Sequence, residues 1–191
     1  MLIAGMEAAI IAARRGHDVT LFEKTGKLGG ALAEAGVPSF KEDDRALIRW
    51  YCTQMEKLKV EIHFNTEVTR EMLLGMDYDT LIIATGALPK MFKLGDDKPV
   101  VDAKTVLREK AEGIGDKIVV IGGGMVGCEL ALWLRKDLGK EVTVVEALHK
   151  LLAVNAPICS ANRDMLEQMV PFSGCKVMVK TKIGRASCRE R

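Results

Sequence analysis

Residues 118–148 read IVVIGGGMVGCELALWLRKDLGKEVTVVEAL. A run of β-branched residues meets a glycine turn, an apolar helix pattern follows, and a second β-like run ends on an acid. Gly122, Gly124 and Gly127 form the spacing G-x-G-x-x-G directly after the strand and at the mouth of the helix. The three glycines have separate physical roles. Gly122 allows the tight turn, Gly124 lets backbone approach a pyrophosphate, and Gly127 lets helix and strand pack closely. The helix N-terminus adds unpaired N–H groups and about half a positive charge. Glu146 ends the next strand, where a carboxylate can accept from an adenine-ribose diol. The glycine spacing alone is weak; strand, turn, helix and terminal acid in one order are specific. The plain alternative is a glycine turn with no ligand.

The chain's first residues repeat this pattern from its middle. In MLIAGMEAAIIAARRGHDVTLFEK (residues 1–24), Gly5 aligns with Gly127, an apolar helix follows, and a β-like run ends on Glu23. We read an internal duplication of one β-α-β unit, the copies differing by one residue in length. The strand and the first two glycines have no counterpart before Gly5. The surviving half predicts a second dinucleotide site with Glu23 as its ribose acid. Gly29 and Gly30, in KLGG, offer backbone that a cofactor can approach with no Cβ in the way, although a simple turn would look the same.

Composition sets the class. The 191 residues are 48% apolar and 28% charged, enough for a sizeable core, and a net charge of +2 with mixed signs argues against a nucleic-acid partner. Cys52, Cys128, Cys159, Cys175 and Cys188 form no C-x-x-C, which argues against structural zinc and a dithiol centre. Reduced thiols packed as small apolar residues suit a cytoplasmic chain. Glu7 interrupts the apolar start and no basic segment precedes it, so we expect a buried helix and no signal peptide. No apolar run approaches the ~20 residues of a membrane span.

Helix and strand patterns alternate along the rest, arguing α/β with a largely parallel sheet. Helices are expected at 5–15, 41–58, 125–138 and 163–170, the last stopped by Pro171. In the second of these, Leu47, Ile48, Tyr51, Met55 and Leu58 should face inward. Strands are expected at 18–22, 60–64, 117–121, 141–145 and 175–179. YDTLIIATG (78–86) reads as another, ending in Thr85-Gly86, where ligands gather beyond the carboxyl ends of parallel strands. Residues 86–99 read as a crossover between lobes. The tail IGRASCRER (183–191) has no periodicity and resembles translated adapter sequence, so we expect it to lie outside the native fold. His17, His63 and His149 sit in separate elements with no nucleophile beside them. No catalytic set and no metal site is expected.

Two dinucleotide folds, one inserted in the other, resemble the FAD/NAD(P)-dependent reductases of the glutathione-reductase type. More narrowly, AGMEAAIIAARRGHDVTLFEKTGKLGGAL, VPSFKEDDRALIRWY and VVIGGGMVGCELALWL resemble the C-terminal half of old-yellow-enzyme-type NADH:flavin oxidoreductases. That group includes 2,4-dienoyl-CoA reductase, enoate reductase and trimethylamine dehydrogenase. The resemblance runs from Ala4 to about Lys182. It implies FAD in the first fold, contacted by Gly5, Glu23, Lys24, Gly29, Gly30, Val68 and Gly86. It implies NAD(P)H in the second, contacted by Gly122, Gly124, Gly127 and Glu146. Hydride would pass from nicotinamide to FAD. In full-length relatives electrons go on through an iron–sulfur cluster to FMN in an N-terminal TIM barrel, none of which this chain contains.

The expected domains are a partial FAD-binding fold at 1–88, a partial NAD(P)-binding fold at 89–182, and the tail at 183–191. NADH is favoured over NADPH, because Glu146 repels a 2′-phosphate and no Arg follows it directly; His149 and Lys150 are close enough to keep NADPH open. Without its first strand and glycine turn, the FAD fold should bind flavin weakly on its own. The competing readings are a nucleotide-binding domain without redox activity and an inactive truncation.

Overall fold

The computed structural model describes residues 3–89, 100–153 and 158–184. The helices and strands, in chain order, are α1 (Ile3–Arg14), β1 (Thr20–Phe22), α2 (Ala31–Ala35), α3 (Glu42–Lys57), β2 (Glu61–His63), α4 (Arg70–Leu74), α5 (Ala103–Arg108), β3 (Lys117–Ile121), α6 (Met125–Lys136), β4 (Glu141–Val145), α7 (Ser160–Phe172) and β5 (Lys176–Met178). Two compact units result, Met1–Lys104 and Thr105–Arg191. No helix among the described residues is long and apolar enough to cross a membrane.

The second unit is a parallel sheet in the order β3-β4-β5. Lys117 pairs with Glu141 and Ile121 with Val145; Thr143 pairs with Lys176 and Val145 with Met178. Parallel neighbours need a crossover, and α6 supplies it between β3 and β4. Alternation sets the faces: Val120, Val142 and Val144 are buried, as are Ala131 and Leu134 on α6 and Leu166 and Val170 on α7.

The first unit has the two-stranded parallel sheet β1-β2, with Thr20 opposite Glu61 and Phe22 opposite His63. Its core is Met6, Ala9 and Ile10 of α1, Leu21, Leu28, and Tyr51 and Met55 of α3. The segment from Ile3 to Arg14 is thus the helix expected from its apolar spacing.

The two units are copies of one another to a finer degree than the β-α-β pattern requires. α1 and α6 have 12 residues each, with Gly5 standing where Gly127 stands. His17 N–H donates to Ala12 O, and Lys140 N–H to Leu134 O, so aligned carbonyls close the two helices, across one more residue in the second copy. The strand that follows is bonded alike in both units. Glu23 N–H donates to His63 O and Thr66 N–H to Glu23 O; Glu146 N–H donates to Met178 O and Thr181 N–H to Glu146 O. Left-handed positions recur in register: Gly16 and Gly139, Lys59 and Gly174, Asn65 and Lys180.

Three expectations need correction. Residues 78–86 form no ladder; the segment has no assigned strand, and Leu81, Ile82 and Ile83 are 44%, 59% and 76% exposed. A strand needs a neighbour to bond, and among the described residues of this unit only β1 and β2 pair. Leu47 on α3 is 42% exposed, because the burial of that helix centres on Tyr51 and Met55. Pro171 does not stop α7 before it but lies inside its last turn. There a proline forfeits one hydrogen bond while Ser173 N–H still reaches Met169 O and Gly174 N–H reaches Pro171 O. The short helices α2, α4 and α5 carry too few residues for a periodic signal. Part of the expected crossover (90–99) and most of the atypical tail (185–191) lie outside the described residues.

Candidate dinucleotide sites

In the second unit, β3 runs into Gly122, whose φ of 100° lies in the region open to glycine and whose N–H donates to Val145 O at 2.8 Å. Gly124 is the N-cap of α6, and no side chain caps that helix end. A Cβ on Gly124 would meet nothing within 4 Å, so the space in front of the helix is open. A Cβ on Gly127 would overlap the carbonyl oxygen of Gly122, so turn and helix pack with no allowance for a side chain. Gly124 therefore faces room for a ligand, and Gly127 faces protein.

Glu146 ends β4 and is 7% exposed. Its Oε2 accepts from Gly123 N–H at 2.6 Å and its Oε1 from Leu148 N–H at 2.8 Å. The acid thus fixes the glycine turn as well as standing beside it. Gly123 O accepts in turn from Leu152 N–H at 2.8 Å and from the Cys128 thiol at 3.4 Å. Gly123 is a site residue that the G-x-G-x-x-G spacing passes over: a Cβ there would lie 2.5 Å from Leu151 Cδ2 and 3.2 Å from Glu146 Oε2. Its signal was its place in the middle of three consecutive glycines. Burial, and secondarily the charge of Glu146, push the Cys128 thiol up to about 12, so it packs as an apolar group and has no thiolate chemistry near neutral pH.

In the first unit a cleft is lined by residues of three stretches, Glu23, Lys24 and Thr25, then Gly30, Ala31 and Glu34, then Thr85, Gly86 and Ala87, together with Lys104. Of the expected contacts, Glu23, Lys24, Gly30 and Gly86 come together there. Gly5 is buried in α1. Gly29 faces protein, since a Cβ on it would lie 3.1 Å from Ile48 Cδ1 and 3.2 Å from Ala33 Cβ. Val68 is half-buried and does not line the cleft. Glu23 is 1% exposed, and its Oε1 accepts from both the amide and the hydroxyl of Thr25, each at 2.7 Å. Burial acts to raise its pKa, but hydrogen bonds, those of Thr25 among them, outweigh it and hold the carboxyl below its ordinary range. Lys24 reaches out to Glu67 at 2.6 Å, and Lys104 pairs with Glu34 at 3.3 Å across the cleft wall. Thr25, Glu34 and Lys104 carry no motif, and only the folded chain gathers them. Among the described residues no group of three His, Cys, Asp or Glu is placed to hold a metal.

Known proteins are similar to this chain in sequence and in fold. Cinnamate reductase of Clostridium sporogenes is 44% identical over 183 residues, covering 96% of this chain and 27% of that protein. The multifunctional alkene reductase/demethylase OYE of Caballeronia cordobensis is 33% identical over 141 residues, 74% of this chain and 21% of that protein. A solved 2-naphthoyl-CoA reductase superposes with a TM-score of 0.85 at 31% identity, over 97% of this chain and 28% of its own. The chain spans about a quarter of the length of these relatives. They accord with the C-terminal half of old-yellow-enzyme-type flavin oxidoreductases indicated by the sequence. The family model for pyridine nucleotide-disulphide oxidoreductases matches residues 3–190, and the chain belongs to that family.

Proposed function

We propose that this chain is the electron-entry module of a larger flavin oxidoreductase, with NAD(P)H seated on the second unit and FAD on the first. One observation carries the reading. The uncapped N-terminus of α6 opens at Gly124 onto free space, and the neighbouring strand ends in a buried carboxylate. The N–H groups of that helix end would take the pyrophosphate, Gly122 and Gly124 would admit it, and Glu146 would accept from the adenine ribose. In the first unit Glu23 would accept from the ribose of FAD, with Gly30, Thr85 and Gly86 close to the dinucleotide and Gly5, Gly29, Lys24 and Val68 in supporting positions. The cofactors supply the hydride chemistry, nicotinamide to flavin; the protein orients them. Glu146 and the absence of a following Arg favour NADH over NADPH. The partner is the rest of a longer polypeptide, a TIM barrel with FMN and an iron–sulfur cluster, where a conjugated alkene substrate of the enoate type would be reduced.

The competing reading, a nucleotide-binding unit with no flavin, is favoured by the first unit's sheet: among the described residues β1 pairs only with β2, and residues 78–86 make no ladder. This predicts weak FAD binding by the isolated chain. The test is a titration of NADH by fluorescence, with Gly124→Val and Glu146→Ala beside the unchanged chain, and a visible spectrum of the purified protein. Binding that neither substitution weakens would overturn the second-unit site. A stoichiometric yellow flavin would overturn the claim of weak FAD binding.

A further inference from the structure

The turn after β4 holds the charges closest in sequence to the ribose acid, and the fold fixes its backbone. Glu146 Oε1 accepts from Leu148 N–H, Lys180 N–H donates to Leu148 O at 2.7 Å, and Leu152 N–H donates to Gly123 O. Leu151 and Leu152, 4% and 1% exposed, anchor the end of the turn in the core. Lys150 lies between these anchors. Its ammonium does not meet Glu146. It sits on Glu167 of α7, 3.1 Å from Oε1 and 3.4 Å from Oε2, so both oxygens of that carboxylate share one cation. Glu167 is 29% exposed and Lys150 49%, so the pair is partly shielded from water and from salt.

A 2′-phosphate on the adenine ribose would arrive beside the Glu146 carboxylate with close to two negative charges. It needs a cation to offset that repulsion, and Lys150 is the flexible one in the turn. We infer that Glu167 sets the coenzyme preference of this unit: by holding the Lys150 ammonium on α7 it withholds the cation that a 2′-phosphate would need, and so selects NADH. The inference rests on the reading of the second unit as a pyridine-nucleotide site. Glu167 touches no nucleotide in this scheme. It acts through Lys150 and is a positioning residue.

Removing the charge of Glu167 while keeping its shape should release Lys150. A charge-assisted contact to phosphate then raises the NADPH:NADH affinity ratio about tenfold. The experiment is calorimetric titration of the chain with NADH and, separately, NADPH, for the unchanged protein, Glu167→Gln, Lys150→Met and the double variant. Glu167→Gln is expected to raise the ratio at low salt, to lose most of the gain at high salt, and to leave NADH affinity within about twofold. The double variant should return to the starting ratio, and Lys150→Met alone should leave it unchanged. A ratio unmoved by Glu167→Gln, or a gain that survives in the double variant, overturns the inference. So does a loss of NADPH affinity in Lys150→Met, a surface change that does not depend on Glu167→Gln folding. If the unchanged chain binds neither nucleotide, the site reading itself falls and takes the inference with it.

Discussion

The two units share a backbone plan and differ in how their acids are held. Glu146 grips the glycine turn in front of it with one oxygen and its own loop with the other. Glu23 spends one oxygen on two donors of a single residue, Thr25. In the second unit the carboxylate therefore ties strand, turn and loop together before any nucleotide arrives. In the first, Oε1 stabilises the local bend at Thr25 beside a cleft. A strand-end acid read from sequence is one residue type in one place; what it organises depends on which backbone groups the fold brings to it.

The sharpest way to break this contrast is at the glycines of the second unit. Gly127→Ala forces a Cβ into the Gly122 carbonyl and should cost about 3 kcal/mol or more. Gly124→Ala enters open space and should shift stability by less than about 1 kcal/mol while weakening nucleotide binding at least tenfold. Urea unfolding followed through buried Trp133, in a Trp50→Phe background, checks the first claim, and nucleotide titration the second. If both substitutions destabilise alike, the division between a packing glycine and a ligand-facing glycine is wrong.

Glu146→Gln is next in size. One of its two acceptors becomes an NH2 group that faces a backbone donor, which should cost about 1–3 kcal/mol with no ligand present. A purely ligand-facing acid would show no such loss, so the same unfolding curve separates the roles.

The Glu23 prediction is one of direction. Its folded pKa is depressed, so its contribution to stability is present above the ordinary carboxylate range and is lost as pH falls through the folded value. Amide exchange at Glu23 and Thr66 should quicken in acid before exchange in β3 and β4 does. Glu23→Gln should remove that pH dependence. The smallest structural effect is at the thiols: Cys128, pushed up to about 12, should resist iodoacetamide at pH 8 in the folded chain, whereas exposed Cys159 reacts. Peptide mass spectrometry reads both at once.

Most of the second unit was legible in the sequence because its signals are local. β3 and β4 fall at 117–121 and 141–145 as periodicity indicates, and G-x-G-x-x-G needs only neighbours in the chain. The failures involve distant partners. LIIATG has the composition of a strand, but composition does not supply the second strand that would bond it. Leu47 has the spacing of a core residue, yet it stays exposed while Tyr51 and Met55 on the same helix are covered. Lys104, Glu34 and Thr25 meet in one cleft from segments with no shared pattern. Gly123 was visible as a letter, and only the approach of Leu151 and Glu146 shows why no other residue fits.

The recurring left-handed positions have a practical consequence. Lys59 holds a φ of 54° where the other copy has Gly174 at 88°, and Lys180 holds 52° where its counterpart Asn65 holds 53°. The repeat is an archive of alternatives already tried at each bend, each copy a guide to the other. For Lys59 it recommends glycine, which relieves a left-handed cost of about 1–2 kcal/mol against an entropic penalty of about 0.5–1 kcal/mol. A protein engineer seeking a sturdier first unit has a blueprint inside the same chain.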